Sequence, residues 1–381
     1  MSEFLTKQVN SRADRLVSFN LADFQVPQGN EEEWRFTPIE KITDFFAAQT
    51  PGAHYTVEVT GDVEYAEVER DDSRLGKVLP PDDRVGALAW ENFQKAHVVT
   101  LLRDVRLSSE AVVKIHGNND SEISACELLV DAQPFAEGTV VIEHTGVARF
   151  AEGIEVRVAD GAHLTLVTIQ DWDDPAAHTL SNRIRVGKDA TFKHIVVTLG
   201  GEIVRVTTNV DFTGPGGDVE LLGAYFVDSQ QHLEHRLLVD HNHPKCRSNA
   251  TYKGALQGEG AHSVWIGDVL IEPNAEGTDT YELNRNLILT PGAKADSVPN
   301  LEIETGEIEG AGHASATGRF DDEQLFYLKS RGIPEDEARR LVVRGFFAEL
   351  INQIGVESVQ EKLIAAIDKE LAITMGSNNG K

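Results

Sequence analysis

The chain has 381 residues, 41% hydrophobic and 25% charged, which excludes a disordered tail and allows either two or three domains or one long repetitive one. Its 35 Lys and Arg against 62 Asp and Glu leave a net charge of −27, a surface that repels phosphate backbones and anionic lipid, so no nucleic acid and no membrane is expected as a partner. The two cysteines, Cys126 and Cys246, stand 120 residues apart and exclude a disulfide framework, a CxxC redox site and a four-cysteine zinc or iron–sulfur site within one chain.

Residues 1–52 read as an N-terminal region of short helices. Phe4, Val9, Leu16 and Phe19 recur loosely at helical spacing, and an acidic run from Glu31 opens a second segment carrying Ile39, Ile42, Phe45 and Phe46. The opening residues hold no apolar leader core, and no apolar run reaches membrane-spanning length, so a cytoplasmic protein is expected.

Residues 53–318 read as a core of short strands rich in Val, Ile and Thr, for example 154–158, 163–169, 191–197, 203–207, 264–271 and 286–289. A punctuation recurs before them: Asp160-Gly161-Ala162, Lys188-Asp189-Ala190, Glu259-Gly260-Ala261 and Pro291-Gly292-Ala293. The alanines are separated by 28, 71 and 32 residues, which suggests a degenerate repeat near 30 with one gap roughly double. Stacked coils of that length predict a mainly β protein with a parallel β-helix core. A large β-sandwich is the alternative.

Residues 319–381 form a C-terminal helical region. Asp321 caps a first helix that Gly332 stops, and Pro334 and Glu335 open a second. On the second helix Ala338, Leu341, Val342, Gly345 and Phe346 make one apolar face, while Val343, Phe347, Leu350, Ile351 and Ile354 make another. So wide an apolar surface implies two contacts. A last helix carries Val359, Leu363, Ile364, Ile367 and Leu371.

There is no phosphate loop, so the chain is expected to bind and hydrolyse no nucleotide by itself, and there is no GxSxG elbow and no zinc-protease helix motif. Histidine carries the remaining chemistry. His232, His235, His241, His243 and Cys246 offer imidazole and thiolate donors for iron, copper or zinc. On a strand, however, His241 and His243 share a face that His232 and His235 do not share with each other, and hydrogen-bonded histidines remain the alternative. His313 lies among small residues from Gly310 to Gly318, where its ring is uncrowded, which suits an interface or a ligand as well as a plain turn. The alternation of carboxylates from Glu302 to Glu309 suits either a cation or a solvated strand face.

Several runs together resemble one family. They are Asp240-His-Asn-His-Pro-Lys-Cys-Arg-Ser-Asn-Ala-Thr-Tyr-Lys-Gly254, then Asn284-Arg-Asn-Leu-Ile-Leu289, Pro299-Asn-Leu-Glu-Ile303, His313-Ala-Ser-Ala-Thr-Gly318 and Asp322-Glu-Gln-Leu-Phe-Tyr-Leu-Lys-Ser-Arg-Gly-Ile333. Their order and spacing are similar to the SufB/SufD family of iron–sulfur cluster assembly proteins, and Glu32-Glu-Trp-Arg-Phe-Thr-Pro38 is similar to its SufD branch.

The resemblance implies a right-handed parallel β-helix between helical ends. It implies a non-catalytic scaffold of the SUF complex, partnered by a SufB-like subunit and a SufC-like ABC ATPase; the exposed ends of a β-helix also allow a homodimer. It implies that the C-terminal helices dock the ATPase, which gives Arg344, Phe346, Phe347 and Leu350 a partner-binding role. It makes His313 the candidate ligand for iron or a nascent cluster held transiently with the SufB-like partner, and leaves His241, His243 and Cys246 as weaker metal candidates. Many relatives carry a cysteine two residues before that histidine; here the position is Ala311. The alternatives are a stand-alone iron-binding protein using the 232–246 cluster and a β-helix enzyme acting on polysaccharide.

Overall fold

The computed structural model describes residues 11–47 and 52–378, so Phe4 and Val9 lie outside the described residues. The fold is mainly β, and its core is a parallel β-solenoid. Two antiparallel pairings open it. β1 (Tyr55–Thr60) and β2 (Glu64–Val68) precede helix α1 (Arg84–Asn92), then β3 (Ala96–Leu101). β4 (Ala111–Ala132) and β5 (Glu137–Val158) are double-length strands that turn a corner and so run through both sheets.

After them the chain alternates between two sheets. One holds β6 (His163–Trp172), β8 (Thr191–Thr198), β10 (Asp218–Val227), β12 (Arg247–Leu256), β14 (Asp279–Ile288) and β16 (Gly310–Arg319). The other holds β7 (Ala177–Val186), β9 (Ile203–Phe212), β11 (His232–His241), β13 (His262–Ile271) and β15 (Lys294–Ile303). Each coil adds one strand to each sheet, in register and parallel.

The recurring punctuation has a backbone cause. Gly161, Asp189, Gly260 and Gly292 all have positive φ, and the buried or half-buried alanine that follows each turns inward at the corner before the next strand. Phe135, Gly216, Gln230, Lys245 and Gly277 take the same conformation without the same wording. Ala162 and Ala190 precede strands of the first sheet, whereas Ala261 and Ala293 precede strands of the second. The 71-residue gap is therefore about two and a half coils, a change of sheet rather than a skipped repeat.

Alternation sets what each strand buries. The inward residues of both sheets fill one interior, among them Leu166, Leu221, Phe192, Val206, Leu237 and Trp265. Both outer faces are covered; that of the first sheet is apolar, while that of the second sets an apolar strip beside buried ion pairs such as Arg183–Glu127 and Arg205–Asp83. Helices α2 (Asp322–Ser330), α3 (Glu335–Ile354) and α4 (Glu357–Asn378) close the chain. Val343, Phe347, Leu350, Leu363 and Ile367 pack on Val167, Ile195, Val197, Leu222 and Phe226 of the first sheet. Across the second sheet, Leu21, Phe24, Trp34, Ile42, Phe45 and Phe46 lie with α1 over Ile123, Ala151, Ala177 and Ile203.

That N-terminal segment holds short helices, as expected. It forms single 3-10 turns, two of them started by the Ser11 and Asn20 side chains. A segment laid flat across several strands buries residues from successive turns, and no helical stripe serves that. Helix α1 lies inside the stretch read as dominated by short strands; Asp83 caps it by accepting from the Gly86 amide at 2.8 Å.

Candidate functional site at the open end

β15 and β16 are the last strands of their sheets, so the solenoid ends on two free edges at one coil. The inward rows change chemistry as they approach that end. One row of the first sheet reads Leu166, His194, Leu221, Ala250, Glu282, His313, each in register with the next. A second reads Val196, Gly223, Tyr252, Asn284, Ser315, and a third Thr198, Tyr225, Gly254, Asn286, Thr317. The rows become polar in the last two coils, and Tyr225 reaches them from β10: its hydroxyl donates to Asn286 Oδ1 at 2.6 Å and accepts from Asn284 Nδ2 at 2.9 Å.

His313 therefore stands on the inward row of the final strand, and its ring is exposed because no coil follows. Gly312 beside it faces outward, where a Cβ would meet the Tyr281 ring at 3.1 Å. Ala311 occupies the preceding inward position and adds no donor. Directly beneath His313 lies Glu282, only 1% exposed, with neither carboxylate oxygen hydrogen-bonded among the described residues. Burial, with repulsion from Asp268 second, pushes its carboxyl up to about 8. Nothing local distinguishes Glu282 from the acidic residues around it; only the stacking of coils sets it inside.

The 232–246 donors do not converge. His232 faces outward, 3.1 Å from Glu234 Oε2 and from His262 Nδ1. His235 turns inward to the Thr198 hydroxyl at 3.0 Å. His241 also faces inward and is joined to Ser248 Oγ at 2.8 Å, while His243 lies beyond the strand end, beside Asn242. His241 and His243 thus share no strand face, contrary to the spacing argument. Cys246 is buried just before β12, where its thiol points at the Gly214 and Pro244 carbonyls. Burial pushes that thiol up, which disfavours the thiolate a metal needs.

The docking residues also fall differently. Phe347 is 1% exposed and Leu350 is equally buried, both against the chain's own first sheet. Phe346 is half-buried under the Lys253 ammonium, and Arg344 pairs with Asp368 of α4. The two contacts implied by the wide apolar surface are the sheet and α4. Among the described residues of these helices, the large apolar side chains left outward are Phe326, 74% exposed, and Tyr327 on α2, with Leu341 on α3.

A further cluster, His144, Glu152 and His178, is fully buried. His144 Nε2 lies 2.8 Å and His178 Nε2 3.1 Å from Glu152 Oε2. The Trp172 indole donates to His178 Nδ1, so the neutral His178 ring carries its proton on Nε2 and donates it to Glu152. A metal would have to displace that proton; the donor set suits a hydrogen-bonded clasp better. Burial raises the Glu152 carboxyl, but the charge and hydrogen bonds of His144, then of His178, outweigh it and hold it down at about 2.

A stack of parallel coils, covered on both flat faces and open at one end, defines a β-helix scaffold whose free chemistry is at its last coil. Comparison with known proteins agrees. The family model for the SUF system FeS cluster assembly SufBD core domain matches residues 115–346. An iron–sulfur cluster assembly SufBD family protein of Mycobacterium leprae is 53% identical over 94% of each chain. Another from Mycobacterium tuberculosis is 51% identical over 96% of this chain and 94% of its own. The SufD iron–sulfur cluster assembly protein of Escherichia coli is 29% identical over 64% of this chain and 58% of its own. The chain belongs to the SufBD family, and its role lies in iron–sulfur cluster assembly. Among the described residues no helix is long and apolar enough to cross a membrane.

Proposed function

We propose that this chain is a non-catalytic scaffold subunit of a SUF-type assembly complex, working in the cytoplasm. Its open coil pairs with a SufB-like subunit, and His313 coordinates iron or a nascent cluster beside thiolates from that partner. One imidazole cannot hold a cluster, so the partner completes the ligand set. The observation that carries this reading is the coincidence of a free strand edge with the exposed His313. β16 is unusually open to pairing: its ten residues are mostly Gly, Ala, Ser and Thr, without the proline or acidic residues that blunt β15. The same edge accepts a second copy of the chain when the partner is absent.

The ABC ATPase docks on the C-terminal helices, whose motion the solenoid passes to the open coil. Because Phe347 and Leu350 are inside the chain, the docking surface is the outward side of α2 and α3, around Phe326, Tyr327 and Leu341. Light scattering on this chain mixed with its cognate SufB-like protein and ATPase should give a mass containing all three. His313→Ala should keep that mass and lose cluster formation. Normal cluster yield from His313→Ala, or no association, overturns the proposal. Tight one-to-one Fe²⁺ binding that survives His313→Ala would favour a stand-alone iron-binding protein instead.

A further inference from the structure

The buried Glu282 has no structural role that the rest of the molecule explains. An inward carboxyl in the middle of a β-solenoid is costly unless it is paired, and elsewhere in this interior the buried carboxylate is paired: Glu152 holds two imidazoles. Glu282 is the exception. Neither oxygen has a hydrogen-bond partner among the described residues, and Trp265 Nε1 across the interior is also unpartnered. The residues around it make room for it. Ala250 is the register neighbour on one side, and Gly267 faces it from the second sheet, where a Cβ would stand 2.8 Å from Glu282 Oε1. On the other side its register neighbour is His313, one strand spacing of about 4.8 Å away and on the same inward row. The two side chains share the mouth of the last coil, with no strand beyond among the described residues.

We propose that Glu282 and His313 form one divalent-cation site, with Glu282 supplying the anionic oxygen ligand and His313 the imidazole. This deepens the reading of His313 as an iron ligand and rests on it. A carboxylate beside an imidazole suits Fe²⁺, which accepts both oxygen and nitrogen donors. It places the incoming ion partly inside the solenoid rather than on its rim. It also gives this chain an anionic ligand where Ala311 gives none. The remaining coordination positions face out of the open coil, toward a partner subunit. The ion enters as cargo and leaves with the cluster; no bond of the protein is made or broken.

The test uses the full chain, anaerobic, with Fe²⁺ as the probe in affinity titrations and Co²⁺ as a spectroscopic probe of its ligand field. The expected result is one ion per chain, weakened at least about tenfold by Glu282→Gln and by His313→Ala alike. The double variant should lose little more than either single one, because both remove the same site. Glu282→Gln keeps the side-chain shape and removes a buried acid, so it should fold; its thermal unfolding is measured alongside. If Glu282→Gln binds as the parent does while His313→Ala does not, the inference fails and the reading of His313 stands. If neither substitution changes binding, both fail. Unchanged binding stoichiometry with an unchanged Co²⁺ spectrum in Glu282→Gln likewise overturns the role of the carboxylate.

Discussion

The middle coils and the last coil are built on the same inward rows, yet they do opposite things with them. In β6 and β10 the row holds Leu166 and Leu221, each closed by a strand on both sides. In β14 and β16 it holds Glu282 and His313, closed on one side only. A position that has neighbours above and below selects for volume; the same position without a following coil selects for what can face a partner or an ion. The solenoid thus separates stability from function along its axis. Substitutions in the middle should cost stability without touching ion binding, and substitutions at the end should do the reverse.

The sharpest break comes from outside the row. Phe347 is the centre of the C-terminal cover on the first sheet. Phe347→Glu places an unpaired charge there, and the cost should be on the order of 4 kcal/mol. Thermal unfolding should show it, and limited proteolysis should find α3 and α4 released first. A variant as stable and as protease-resistant as the parent would mean that the helices are not held by this face. Next comes the middle of the row itself. Leu221→Ala should cost about 2–5 kcal/mol in denaturant unfolding, because stacked coils leave little freedom to close a cavity.

Acid should act on the closed region through its buried histidines. Burial lowers His194, His235 and His241 to about 3, and His178 to about 4. The unfolded chain binds protons at these rings near pH 6.5, while the folded chain stays neutral until pH 3 to 4. Across that window the unfolded state holds more protons, so stability falls as pH falls, by up to about 1.4 kcal/mol per pH unit per ring. His194→Gln should flatten the slope by one proton. An unchanged slope would mean that His194 is protonated inside the fold.

Much of this organisation is legible in the sequence, and the reason it stops where it does is physical. The strands were readable from Val, Ile and Thr content, and the corners from Gly-Ala pairs, since a left-handed residue followed by a small inward one is a local requirement. Lys245 and Gln230 meet the same requirement with unusual residues, so their corners were silent. The wide apolar surface of α3 was visible as well, but its partner was not: whether Phe347 meets a sheet of its own chain or another protein depends on residues some 120–180 positions away. His313 stood out because small residues surround it. Glu282 did not, because its burial comes from register with Ala250 and His313, a relation between coils that no local pattern records.

The smallest expected effect is the one that best sharpens the contrast. His313→Ala removes a whole imidazole from an inward row, the kind of change that costs several kcal/mol at Leu221. At the open end the ring is exposed among the described residues. Its removal should leave stability within about 0.5 kcal/mol of the parent. Measured in the same denaturant series as Leu221→Ala, the two variants test one row at two depths. A loss at His313 close to that at Leu221 would show that the last coil is covered in solution, by a second copy of the chain or by residues packed over it. Repeating the pair at tenfold lower protein concentration separates those cases, because only cover by a second copy weakens on dilution.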